Sequence, residues 1–336
     1  MIGGTLFTGG GGADLGLQAA GVEVVLGIEY DAEIAAVARN NGLPVEVGDI
    51  LDLNPHALPY LDFIHASPPC PNFSVAKAGR SETAHDLALA RKVADIVLLT
   101  SPAVFTLENV PAYRDSRSFQ HIVNRLARRG YFVDWQIVNA ADFGVPQTRR
   151  RLWLRAARAG LLPPLPPPVA WVGWYAAIED LLPTLPESAF APWQLARLPE
   201  KVKSGLYGAG GFDNSVVYAD RAMPSFTITA NQNQAQLRAF IVDDQGNGTP
   251  GPNRGLTIRD AASPVFTIST TQTKRSLRAQ LAGGRVVAMT PRCMARFQSF
   301  PDWYKLPERN ALACRAIGNA VPPLLMQQIA AGLVGD

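Results

Sequence analysis

Leu6-Phe7-Thr8-Gly9-Gly10-Gly11-Gly12-Ala13-Asp14-Leu15-Gly16 stands between a β-rich run, Gly3–Phe7, and a helical pattern, Gly12–Ala20. Glycine has no Cβ, so such a turn can bend tightly and bring backbone N–H groups close to a bound molecule that a side chain would hold away. Outward from it, short β-rich runs alternate with helical patterns. The strand candidates are Val22–Ile28, Val45–Val47, Phe63–Ala66 and Val104–Leu107; the helical stretches are Ala32–Asn41, His85–Thr100 and Phe119–Arg129. Strands separated by helices of this length predict βαβ units and a parallel sheet. Phe132–Asn139 and Arg151–Arg155 are joined by a stretch too short for a crossover helix, so they are expected to pair antiparallel.

Composition then shifts. Leu161–Pro168 carries five prolines in eight residues, a stiff connector that reads as a domain boundary. From there to about Gly284 the chain is rich in Gly, Pro, Asn and Gln, with short Thr/Ile/Phe strands. A weak repeat lies within it: Met223-Pro-Ser-Phe-Thr-Ile-Thr-Ala followed by Leu237-Arg238-Ala239, then Ser263-Pro-Val-Phe-Thr-Ile-Ser-Thr followed by Leu277-Arg278-Ala279. Two copies are too few for a solenoid and read as two similar hairpins in one small β-rich domain. The last stretch returns to helix and ends in an amphipathic segment that Pro322-Pro323 can open.

Bulk properties narrow the class. With 47% hydrophobic and 18% charged residues over 336 positions, the chain is globular rather than disordered. A net charge of +3 permits a nucleic-acid partner without demanding one. The cysteines Cys70, Cys293 and Cys314 show no C-x-x-C spacing, so neither a disulfide scaffold nor a zinc site is expected. His56, His65, His85 and His121 are scattered singly, and no metal is expected. The N-terminus runs straight into the glycine turn without a leader, and Val93–Leu107 is broken by Asp95, Thr100, Ser101 and Pro102. A soluble intracellular protein is the expectation.

Successive strand ends carry the chemistry. Glu29 ends the second strand, where a carboxylate can accept from ribose hydroxyls, and Asp49 ends the third. An ordinary turn would explain either alone; together with the glycine turn they favour a nucleoside-bearing cofactor. Phe63–Ala66 then runs into Ser67-Pro68-Pro69-Cys70-Pro71-Asn72-Phe73-Ser74. A lone cysteine is usually a small core residue, but prolines on both sides fix its backbone in a way that core filling does not require. Val104–Leu107 delivers Glu108-Asn109-Val110. In an open α/β sheet the carboxyl ends of the strands share one edge, so Cys70 and Glu108 are expected to face one cleft beside the cofactor.

In these motifs and their order, the chain resembles the DNA (cytosine-5)-methyltransferase family over nearly its whole length. The glycine turn matches that family's cofactor loop, Glu29 and Asp49 its ribose and adenine contacts, Pro68-Pro69-Cys70 its nucleophile loop, and Glu108-Asn109-Val110 its base-binding motif. Gln147-x-Arg149-x-Arg151, Arg285…Thr290-x-Arg292…Arg296-Phe297-Gln298-Ser299-Phe300-Pro301-Asp302 and Gly318-Asn319-Ala320-Val321-Pro322-Pro323 match the later ones.

The resemblance implies an α/β fold: a Rossmann-like class I methyltransferase sheet with a small β-rich target-recognition domain inserted. Residues 1–162 would form the catalytic, cofactor-binding domain, 163–285 the recognition domain, and 286–336 the return. It implies S-adenosyl-L-methionine as donor, S-adenosyl-L-homocysteine as product, and double-stranded DNA as substrate. The catalytic set would be Cys70, Glu108, Arg149 and Arg151. The cofactor set would be Phe7, Thr8, Gly9, Gly11, Gly12, Glu29, Tyr30, Asp49, Ile50, Pro68 and Asn319. It further implies a monomer in the cytoplasm of a bacterial cell or phage-infected host, with a cognate restriction endonuclease acting separately. Residues 76–85 read either as a loop that closes over the flipped base or as an exposed connector. Arg238, Arg254, Lys274, Arg275 and Arg278 are candidates to grip phosphates.

Three positions depart from the family pattern: Ala66-Ser67 replaces a glycine pair, Pro71 follows the nucleophile in place of glutamine, and Cys293 stands where glutamate is usual. Rival readings are a transfer-RNA cytosine methyltransferase, an unusual donor or acceptor, a silent DNA-binding relative, and a nicotinamide-dependent oxidoreductase. The last leaves Pro68-Pro69-Cys70 and Gln147-x-Arg149-x-Arg151 unexplained, and a silent binder has no reason to keep Cys70, Glu108 and Arg149 together.

Overall fold

The computed structural model describes residues 1–69, 72–73, 81–160, 162–190, 192, 195, 207–209, 216–218, 240–244, 256–268, 277–281 and 285–334. Its centre is a seven-stranded sheet in the order β3-β2-β1-β4-β5-β7-β6. The strands are β1 (Ile2–Leu6), β2 (Glu23–Glu29), β3 (Val45–Val47), β4 (Phe63–Ala66), β5 (Val104–Asn109), β6 (Phe132–Asn139) and β7 (Arg150–Ala157). The first five run parallel, and β7 lies antiparallel between β5 and β6, as the short connection requires. The connection reverses direction between β1 and β4, which makes the edge beyond those two strands the switch point where such sheets bind ligands.

The helices begin where side chains satisfy free N–H groups. Asp31 accepts from Glu33 N and Ile34 N to open α2 (Ala32–Arg39), and Thr83 forms a capping box with Asp86 to open α3 (Ala84–Thr100). Ser116 accepts from Phe119 N, so α4 (Arg117–Arg128) starts two residues before the Phe119 expected from the apolar pattern. α3 and α4 bury Leu89, Val93, Ile96, Phe119, Ile122 and Leu126 on one sheet face. Each such side chain contributes about 1.5–3 kcal/mol of burial. The other face is covered by α1 (Gly12–Ala19) and the chain's last helix, through Leu17, Leu325, Met326 and Ile329.

That last packing explains part of the glycine run. A Cβ on Gly12 would stand 2.2 Å from the Val321 carbonyl oxygen, so no larger residue fits. The fourth glycine leaves room for the returning chain at Val321.

After a short helix α5 (Trp174–Ile178), smaller sheets follow: β8 (Tyr207–Ala209) with β9 (Val216–Tyr218), and a four-stranded antiparallel sheet. The latter contains β10 (Phe240–Asp244), β11 (Leu256–Asp260), β12 (Arg278–Gln280) and β13 (Val286–Ala288), in the order β11-β10-β12-β13. The first copy of the sequence repeat lies outside the described residues. The described part of the second copy divides between two partners. Its Val265 forms a bridge with Gln147, donates to Pro146 O at 3.0 Å and accepts from Thr148 N at 2.8 Å. Its Arg278 and Ala279 lie instead in β12, paired antiparallel with β10 on one side and β13 on the other. The chain ends in α6 (Pro291–Phe297), α7 (Asn310–Asn319) and α8 (Pro323–Val334).

Candidate active site

Strand register aligns the functional candidates. Leu6 pairs with Ile28 and Ala66, Ala66 with Leu107, and Glu29 with Val47. The residues after these pairs, Phe7–Gly9, Tyr30, Asp49, Ser67-Pro68 and Glu108, therefore lie along one edge of the sheet, Glu108 still within β5.

At the end of β5, Glu108 is 6% exposed. Its Oε1 lies 3.0 Å from Arg151 Nε and 3.9 Å from Arg149 Nη2. Arg149, 2% exposed, donates from its backbone to Asn139 Oδ1 and from Nη1 to Gly318 O. A buried carboxylate flanked by two guanidiniums, all at the mouth of a sheet edge, is built for a ligand that needs both an acceptor and positive charge. Asn109, which was not singled out from sequence, is 2% exposed and donates through Nδ2 to Pro68 O at 3.0 Å. It ties the end of β5 to the loop leaving β4. Cys70 and Pro71 lie outside the described residues.

The other end of the edge fits a nucleoside-bearing ligand. Phe7 and Gly9 both have positive φ, 62° and 61°, and a Cβ on Gly9 would meet no heavy atom within 4 Å. Gly9 thus faces open space, where its lack of a side chain leaves room for a ligand, whereas Gly11 and Gly12 pack against Leu43 and Val321. Glu29 accepts from Gly9 N at 2.8 Å and from Asp31 N at 2.9 Å, one bond per carboxylate oxygen, leaving lone pairs for hydroxyl donors. Tyr30 is 76% exposed beside it and Ile50 is buried. Asp49 Oδ1 accepts from Leu51 N. Pro68 is buried, and Asn319 ends α7 on the surface. Beneath the turn, Thr8 and Thr5 hydroxyls lie 2.7 Å apart and Thr5 donates to Asp14. Burial pushes the Asp14 carboxyl up to about 7, against the lowering effect of the Thr5 bond.

Two of the departures have local explanations. Ser67 Oγ donates to Phe7 O at 3.3 Å across the switch point, a bond glycine cannot make. Cys293 is fully buried, with its Sγ 3.4 Å from the Oγ1 of Thr290, the α6 N-cap; burial pushes its thiol up. The Pro71 departure falls outside the described residues. So do residues 74–80, Arg238, Arg254, Lys274 and Arg275. Arg278 is described and donates to Ser188 Oγ. Gln147 is completely buried: it donates to Gln298 Oε1 and accepts from Ile268 N, joining β7, the second repeat copy and α6.

A family model described as C-5 cytosine-specific DNA methylase matches residues 3–334. The chain is 29% identical over 329 residues to Type II methyltransferase M.AplI of Arthrospira platensis, covering 97% of this chain and 83% of that protein. It is 29% identical over 348 residues to Type II methyltransferase M.NgoPII of Neisseria gonorrhoeae, with 98% and 94% covered. In fold it is similar to Entamoeba histolytica methyltransferase EhMeth (TM-score 0.63, 13% identity, 99% and 97% covered) and to a Spodoptera frugiperda DNMT2 variant (TM-score 0.62, 15% identity, 99% of each). With a match that runs nearly end to end, on a sheet whose functional edge is assembled as described, this chain belongs to the C-5 cytosine-specific DNA methylase family and is a DNA (cytosine-5)-methyltransferase.

Proposed function

We propose that this enzyme methylates one specific sequence of double-stranded DNA through a covalent bond between Cys70 and C6 of a flipped-out cytosine, with S-adenosylmethionine as the methyl donor that family membership implies. The observation that carries the reading is Glu108, buried between Arg149 and Arg151 on the same sheet edge as the Phe7–Gly9 turn and Glu29. C5 of cytosine is too weak a nucleophile to be methylated unaided. Addition of the Cys70 thiolate to C6 places electron density on C5; loss of the C5 proton and elimination of Cys70 later restore the ring. A free thiol near ~8.5 is only partly ionised at neutral pH, so a nearby positive charge would favour the attacking form.

Glu108 hydrogen-bonds the N3/N4 edge of the base and offsets charge that develops there, Arg149 contacts the base carbonyl, and Arg151 holds Glu108 in place. S-adenosylmethionine, when bound, supplies a methyl group on a positively charged sulfur. Phe7, Thr8, Gly9, Gly11, Gly12, Glu29, Tyr30, Asp49, Ile50, Pro68 and Asn319 would hold it. Because the target atoms are stacked within a duplex, the base leaves the helix for this pocket. Residues 163–285 read the sequence in the major groove.

The relatives' description as type II methyltransferases supports a pairing with a separate restriction endonuclease; a monomer in a bacterial or phage-infected cytoplasm belongs to the same reading. The test is transfer of labelled methyl from S-adenosylmethionine to mixed-sequence duplex DNA and, in parallel, to transfer RNA. Label in DNA as 5-methylcytosine in one sequence context supports the reading; label in transfer RNA alone replaces it.

A further inference from the structure

We propose that Asp86 is a positioning residue for the chemical step, acting through Asn72 to hold the chain that follows the nucleophile. The inference rests on the assignment of Cys70 as nucleophile. Asp86 is 7% exposed, and its Oδ2 gathers three donors: Asn72 Nδ2 at 2.9 Å, Thr83 N at 2.7 Å and Thr83 Oγ1 at 2.7 Å. The capping box of α3 accounts for Thr83 alone. The Asn72 bond adds something a cap does not need: it joins the two ends of the segment between residues 72 and 83 on one oxygen. Burial raises the Asp86 carboxyl, but the bonds from Thr83 and Asn72 outweigh it and hold the group below the ordinary range, so it stays ionised at neutral pH.

Two further contacts complete the frame. Phe73 is 7% exposed and packs edge-on against Tyr113, with ring centroids 4.9 Å apart. At the far end, Glu82 accepts from Arg117 N and Ser118 N, fixing the chain to the start of α4. Upstream, Asn109 holds Pro68 O. Cys70 is thus bracketed in sequence by anchors two residues before it and two after it. A reacting atom displaced by about 1 Å costs on the order of 10²-fold in rate, and the Asn72–Asp86 bond is the downstream restraint against such displacement.

Asn72→Ala removes this bond and leaves the Thr83–Asp86 cap intact, so the fold is retained. On full-length enzyme at saturating cofactor and duplex DNA carrying 5-fluorocytosine, it is expected to slow covalent adduct formation by about 10- to 100-fold. The melting temperature should stay within a few degrees and DNA affinity within about threefold. The exchanged pair Asn72→Asp with Asp86→Asn rebuilds one amide–carboxylate bond and should recover most of the lost rate. Adduct formation by Asn72→Ala at the native rate overturns the proposal, as does a loss that the exchanged pair does not recover. Absence of any adduct with the unsubstituted enzyme instead overturns the assignment of Cys70 itself.

Discussion

Arg151 Nε meets Glu108 Oε1 at 3.0 Å across the β5–β7 boundary, with both side chains largely withdrawn from solvent. The pair is thus part of the structure as well as of the site. Removing Arg151 leaves the buried Glu108 with the more distant Arg149 guanidinium at 3.9 Å, a cost toward the low end of about 3–5 kcal/mol. Arg151→Met should therefore lower the melting temperature sharply and depress kcat. Glu108→Gln keeps an oxygen for Arg151, so thermal melts should show a smaller loss, about 1–2 kcal/mol. Steady-state kinetics should nonetheless show kcat down by about 10²–10⁴-fold, with DNA affinity little changed. An unchanged kcat would remove Glu108 from the mechanism.

The glycine turn separates two roles. Gly9 has φ +61° and open space around its Cβ position, so Gly9→Ala carries about 1–2 kcal/mol of backbone strain and crowds the cofactor side. Calorimetric titration should show weaker S-adenosylmethionine binding with a modest loss of melting temperature. Gly12→Ala places a Cβ against the Val321 carbonyl, and soluble yield and melting temperature should fall much further. Equal stability losses in the two variants would contradict the distinction.

Asp14 gives a pH signature. Its folded value of about 7 lies above the ordinary 3.8, so between those limits the folded protein keeps a proton that the unfolded chain has released. Its contribution is present at low pH and is lost as pH rises toward 7, roughly 4 kcal/mol in all. Asp14→Asn should flatten the fall of stability between about pH 4 and pH 7, measured by denaturant titration across that range. An identical pH profile in the variant would show that Asp14 ionises freely in the fold.

Cysteine reactivity should follow burial. Cys293 and Cys314 are 0% and 1% exposed, and burial pushes both thiols up. Iodoacetamide under native conditions, read by peptide mass spectrometry, should leave both unlabelled over a period in which Cys70 is modified. Rapid labelling of Cys293 would mean that α6 opens readily.

The five parallel strands and their order of appearance were legible in the sequence because each is a short apolar run followed by turn residues, and β3, β4 and β6 begin and end where expected. Ends set by caps were less so: Ser116 moves the start of α4 because its hydroxyl, not the apolar pattern, satisfies Phe119 N. Glu108, Arg149 and Arg151 could be named from motif resemblance, and register then brings them together. Asn109 on Pro68, Asn72 on Asp86 and Gln147 on Ile268 were not legible. Each is a single polar contact between distant segments, fixed by how the strands and loops come together and not by local pattern. No sequence signal shows that Gly12, besides its place in the turn, must also leave room for the returning chain at Val321.

The central claim is the covalent step at Cys70. Duplex DNA containing 5-fluorocytosine, incubated with the enzyme and S-adenosylmethionine, stalls the reaction because fluorine cannot leave C5 as a proton does. A denaturation-resistant protein–DNA adduct that carries the methyl group, maps to Cys70 by peptide mass spectrometry and vanishes in Cys70→Ala is the predicted result. An adduct that persists in Cys70→Ala, or methyl transfer to cytosine by that variant, would contradict the account.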